Sequence, residues 1–232
     1  MTVDVSQIAA LAPLLLISGA GCLTLLLDTF NKGRGPSLRL AQLGCLAALA
    51  AVVGQWTGAD SGQPIWAGMW VVDRMSLFLD ALSIATALTT LLVVAPFMRE
   101  HDFDRGEHHA LVLFATAGMM TVVHATHLLS LLIGIETMSL AAYLLVASWR
   151  RQPAGAEGAL KYLLLGAFAA GFMVYGTALV YGTTGGEMSY AGIAERAGLA
   201  AGNPLFIVGV YFLLAGMLFK IAAVPFHMWA PD

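Results

Sequence analysis

Glu136 and Lys220 each stand near the middle of an apolar stretch long enough to cross a bilayer, 128–148 and 204–228. A charge at the bilayer centre costs about 2.5–3.5 kcal/mol on insertion scales. A sequence keeps one there when it is paired, reached by internal water, or used. A carboxylate and an amine in separate spans suggest a buried acid–base couple, the arrangement from which proton pathways are built. A lysine that approaches or retreats changes the protonation of a buried carboxylate, and a desolvated lysine releases its proton more readily than one in water. Pro225 follows Lys220 by five residues. It cannot donate to the helix ladder, so it is expected to free the Ile221 carbonyl and break the span, as in transporter helices. Two blander readings stay open: a static ion pair or protonated carboxyl at 136, and a simple proline kink with a snorkelling lysine at 220.

Further polar residues are candidates of lower specificity. Lys161 lies early in the stretch 159–182, four residues after Glu157, which is a favourable helical pair. It reads equally as an interfacial pair or as a third participant. His124 and His127 have the i, i+3 spacing of a helical metal pair, but no carboxylate or cysteine ligand is near in sequence. Hydrogen-bonded histidines at helix ends fit them better. His227 follows Pro225 at the expected break and could relay protons there. Asp80, one to two turns into its span, reads as solvated at the interface.

The elements that must position these residues follow from composition. The chain is 59% hydrophobic and 11% charged, whereas a soluble domain is about half apolar and a quarter charged. Apolar windows at 8–27, 38–56, 74–97, 109–125, 128–148, 159–182 and 204–228 predict an all-α, polytopic membrane bundle of about seven helices. Only Thr126 and His127 separate the fourth window from the fifth, which predicts a tight antiparallel hairpin. The first segment has no Lys or Arg before its apolar run and is expected to stay as an anchor. Lys32, Arg34, Arg39, Arg99, Arg105, Arg150 and Arg151 fall in odd loops, against Arg74 and Arg196 on the alternate side. The positive-inside rule then puts the N-terminus outside and residue 232 at the cytoplasmic side. A short surface helix is expected at 188–197, after Gly185 and Gly186. Ala167 and Gly171 have the spacing that lets helices approach. Cys22 and Cys45 sit in apolar runs and read as packing residues. No redox, haem, iron–sulfur or phosphate-loop motif appears, so no cofactor or metal site is expected in this chain. A net charge of −3 suggests no nucleic-acid partner.

Three stretches carry a resemblance. FKIAAVPFHMWAPD (219–232) resembles the lysine-bearing broken helix of the antiporter-like membrane subunits of respiratory complex I. HLLSLLIGIETMSLAAYLLVA (127–147) resembles their glutamate-bearing fifth helix, and EGALKYLLLGAF (157–168) their sixth, with its lysine. The phrase V-P-F-H-x-W-x-P-D favours the subunit N branch of the bacterial NADH:quinone oxidoreductase. The resemblance implies proton movement through Glu136 and Lys220, with Lys161 modulating or connecting to Lys220. It implies partners among the other membrane-arm subunits in a bacterial inner membrane. NADH, FMN, iron–sulfur clusters and quinone would be bound by those other subunits. It divides the chain into N-terminal helices at 1–107 and a first repeat at 108–232. The family has roughly fourteen helices built on inverted repeats. Ending at Asp232, the chain is expected to be an incomplete antiporter-like fold, without the eighth helix and second repeat. A cation/proton antiporter subunit and a non-pumping structural module are the competing readings.

Overall fold

Hydrocarbon offers a backbone no hydrogen-bond partners, so apolar segments of this length close their bonds locally as helices. The computed structural model describes residues 5–31, 36–62, 64–101, 105–148 and 153–227. They form α1 (Val5–Ala10), α2 (Ala12–Asn31), α3 (Pro36–Gln55), a 3₁₀ turn (Trp56–Ser61), α4 (Arg74–Glu100), α5 (Gly106–His124), α6 (Leu128–Val146), α7 (Pro153–Thr183), α8 (Tyr190–Ala200) and α9 (Pro204–Lys220). Each of the seven apolar windows carries one long helix. Those on α2, α3, α4, α6 and α7 are both long and apolar enough to span a membrane. The expected surface helix is α8, which starts at Tyr190 behind an N-cap on Ser189 and continues to Ala200.

Glycines set how closely the helices pack. A Cβ on Gly118 would lie 2.4 Å from the Met138 backbone, and one on Gly134 would lie 2.8 Å from the Val122 backbone. These two contacts fix the antiparallel register of the α5–α6 hairpin. Gly176 and Gly209 bring α7 and α9 together in the same way, and Gly216 sits against Met173 and the Ala169 carbonyl. The Ala167/Gly171 pair does not serve this purpose. Gly171 faces open space and Ala167 is exposed, so that stripe lies on the outer face of α7.

One core, with Ile17, Leu77, Ile84, Leu113 and Met120, joins α2 to α5. A second, with Val180, Phe206 and Leu213, joins α7 to α9. At one end of the bundle three connections meet. Thr126 donates to the Gly68 carbonyl, Leu128 N–H to Met188, and Tyr190 N–H to Thr126. The segments 65–71, 125–128 and 187–190 thus share a side. At the opposite end, Gly106 N–H donates to Asp28 Oδ1 at 3.0 Å and His108 Nδ1 lies 3.2 Å from Ser148 Oγ.

The seventh span differs from the expected proline break. Helix α9 ends at Lys220, five residues before Pro225. Ala222 takes a left-handed φ of 52°, and Ala222 and Ala223 N–H groups return to the Phe219 and Leu218 carbonyls. That pattern is a Schellman termination, which satisfies the last carbonyls without any proline. Pro225 and His227 follow on exposed turns. Residues 228–232 of the motif lie outside the described residues, as do Lys32, Arg34, Arg150 and Arg151.

Candidate functional site

Glu136, Ser139 and Tyr143 fall at i, i+3 and i+7 on α6 and so share one face of that helix. Lys220 reaches this face from α9. Its Nζ lies 3.1 Å from Glu136 Oε1, and donates to Ser139 Oγ at 2.9 Å and to Tyr143 Oη at 3.2 Å. An ammonium has three hydrogens, and here two of them go to hydroxyl oxygens. The Glu136 contact is a close ion pair without aligned hydrogen-bond geometry, so the two neutral hydroxyls hold the lysine more directionally. The lysine side chain is 9% exposed and the glutamate 28%. The lysine is therefore buried and the glutamate partly buried, with the oxygen that faces Lys220 covered.

Both α6 and α9 pack on α7, and the long Lys220 side chain crosses between them. As the last helical residue of α9, Lys220 also sits at the negative end of the helix dipole, which favours a cation. Tyr143 is held by α7: its hydroxyl fills the space above Gly166, where a Cβ would lie 1.9 Å away. Its ring meets Tyr162 edge-on at 4.4 Å. Neither Ser139 nor Tyr143 was singled out from the sequence, although their spacing from Glu136 was the available signal.

The other sequence candidates lie elsewhere. Lys161 Nζ is 3.1 Å from Glu157 Oε1 on the exposed surface of α7, with side chains 46% and 70% exposed. His127 caps α6 by accepting from Leu129 N–H at 3.3 Å, about 13 Å along the helix from Glu136. Burial holds its imidazole below the ordinary value, with the Glu187 carboxylate pulling the other way.

Asp80 contradicts the expectation of interfacial solvation. It is 1% exposed and its Oδ2 lies 2.8 Å from Nε2 of the equally buried His124. The helix-end histidine thus has its carboxylate after all, supplied by α4, 44 residues away in sequence. Among the described residues no group of three or more His, Cys, Asp or Glu side chains is placed to hold a metal ion.

Residues 125–232 match the family described as "NADH:quinone oxidoreductase/Mrp antiporter, TM". NADH-quinone oxidoreductase subunit N 1 of Sorangium cellulosum is 40% identical, over 96% of this chain and 47% of its own. Over residues 125–232 the chain is thus similar to this antiporter-like family of membrane subunits. It is a multi-pass membrane protein. A chain of respiratory complex I from Thermus thermophilus superposes with a TM-score of 0.74 at 34% identity, over 95% of this chain and 46% of that one. A chain of the Mrp complex from Dietzia shares the fold, with a TM-score of 0.74 at 22% identity over 95% and 42% of the two chains. The chain spans about half the length of the curated relatives it matches.

Proposed function

We propose that this chain supplies the first antiporter-like repeat, 108–232, and the preceding helices, 1–107, of a proton-translocating subunit N of bacterial NADH:quinone oxidoreductase. It acts beside other membrane-arm subunits in the inner membrane, with the N-terminus outside and residue 232 at the cytoplasmic side. NADH oxidation and quinone reduction, and the FMN and iron–sulfur clusters they need, belong to partner subunits. The observation that carries the reading is the Lys220–Glu136 contact at 3.1 Å, held by Ser139 and Tyr143.

The chemistry follows from the geometry. Charged, the pair is an ammonium beside a carboxylate. Passing one proton from Nζ to Oε1 leaves an amine and a carboxylic acid, with no change in net charge. A change in the field from neighbouring subunits would tip the balance between these forms. Net transfer then requires that neutral Lys220 be reprotonated from one side and protonated Glu136 release to another. Lys161 of α7 is the residue that the resemblance assigns to connecting this pair to the rest of the path. His127, Pro225 and His227 take no direct part in this step. Replacing Glu136 with Gln keeps shape and removes ionisation. In the complete complex it should lower proton translocation while assembly is retained, and normal translocation would refute the reading.

The shared fold of the Mrp chain and the family description favour one alternative, a cation/proton antiporter subunit. Purifying the full-length gene product separates the two. Co-purifying flavin and iron–sulfur subunits support the first, and sodium-dependent growth rescue the second.

A further inference from the structure

Asp80 and His124 form a second buried acid–base couple, on α4 and α5. Their side chains are 1% and 3% exposed. The ring nitrogens fix how many protons the couple holds. His124 Nδ1 faces the Val71 carbonyl, which can only accept, so Nδ1 carries a hydrogen. Nε2 faces Asp80 Oδ2 at 2.8 Å, so one further hydrogen lies between them. The couple is either imidazolium with carboxylate or imidazole with carboxylic acid, and it is neutral in both forms.

Two features favour the charge-separated form. His124 is the last residue of α5, where the helix dipole is negative. Its ring also stacks on Trp70, with centroids 4.4 Å apart and planes 7° from parallel, an arrangement that favours a cation. The remaining carboxylate oxygen, Asp80 Oδ1, is buried with no hydrogen-bond partner among the described residues. Leaving such an acceptor empty is costly, and a purely structural clamp does not need it.

We propose that the Asp80–His124 couple is a second proton-holding site, loaded and emptied at Asp80 Oδ1. In the charge-separated form a proton arriving at Oδ1 gives a carboxylic acid beside an imidazolium, one positive charge in total. Its departure restores the neutral couple. The site lies beneath the connections 65–71, 125–128 and 187–190. Asp80 is six residues into α4, about 9 Å along the helix from that end. It therefore serves proton exchange with the side on which those loops meet. This role rests on the proton-translocating reading above.

The test uses the complete native complex carrying Asp80→Asn, His124→Gln or, as a control, Glu136→Gln, with protons translocated per electron as the readout. His124→Gln keeps a side-chain N–H toward Asp80 and removes the titrating ring. The expected result is normal assembly with a lowered ratio in Asp80→Asn and His124→Gln, and recovery in Asp80→Glu. A lowered ratio in Glu136→Gln with a normal ratio in the Asp80 and His124 variants overturns this proposal alone. A normal ratio in Glu136→Gln overturns the parent reading instead. If neither Asp80→Asn nor His124→Gln assembles, the couple is a structural clamp and the proposal falls.

Discussion

The Tyr143 hydroxyl occupies the place where a Cβ on Gly166 would stand, 1.9 Å away. A glycine on α7 thus lets a tyrosine of α6 turn its oxygen toward Lys220 of α9, at 3.2 Å. Three helices are tied at one phenol.

Gly166→Ala should therefore act on Lys220 without touching it. The added methyl forces the phenol aside, and the lysine loses one of its three oxygens. A hydrogen bond to a charged group contributes about 1.5–3 kcal/mol. Tyr143→Phe removes the same oxygen but keeps the ring against Tyr162. Both should lower the translocation rate and thermal stability, Gly166→Ala more so because the methyl also displaces the ring. Rate and melting temperature on the assembled complex separate the two effects.

The α5–α6 hairpin should be the least tolerant contact in the bundle. A methyl at Gly118 meets backbone, at 2.4 Å from Met138 N, and backbone cannot step aside as a flexible side chain does. Gly118→Ala should cost about 1–3 kcal/mol, the usual range for overpacking. Gly171→Ala, at an open position, should be neutral. Melting curves of both variants in detergent check the contrast.

Ala222 is an L-residue held at a φ of 52°, where glycine is preferred. Ala222→Gly should stabilise the end of α9 by up to about 1 kcal/mol. It should leave translocation intact, because Lys220 precedes the turn. A melting temperature at or below the parent's would contradict this.

His127 caps α6 only while Nδ1 has a free lone pair. Burial holds its value below the ordinary one, so it is neutral near pH 7 and its cap is present there. As the pH falls through the folded-state value the cap is lost, a contribution of about 1 kcal/mol. His127→Asn keeps a capping oxygen that does not titrate. The protection factor of the Leu129 amide should fall in acid in the parent and hold in this variant.

The seven helices were legible because lipid reduces folding to a question of apolar length, which hydropathy answers directly. Glu136 and Lys220 were legible for the same reason, as charges that stand out against an apolar background. What holds them was not legible. Ser139 and Tyr143 are unremarkable alone, and only the seat above Gly166 makes Tyr143 a partner. Asp80 was misread because distance from a helix end says nothing about the neighbouring helix. His124 reaches it from 44 residues away. The break after Lys220 was placed too late, since the proline was the visible signal while a Schellman turn at Ala222 did the work.

Proton carriage by Lys220 is tested most directly by Lys220→Arg. Arginine keeps a positive charge beside Glu136 but holds its proton to a pKa above about 12. Protons taken up per electron transferred, measured in proteoliposomes containing the complete complex, should fall markedly in Lys220→Arg despite normal assembly. Translocation equal to the parent would mean that a fixed positive charge is enough, and would contradict proton transfer between Lys220 and Glu136.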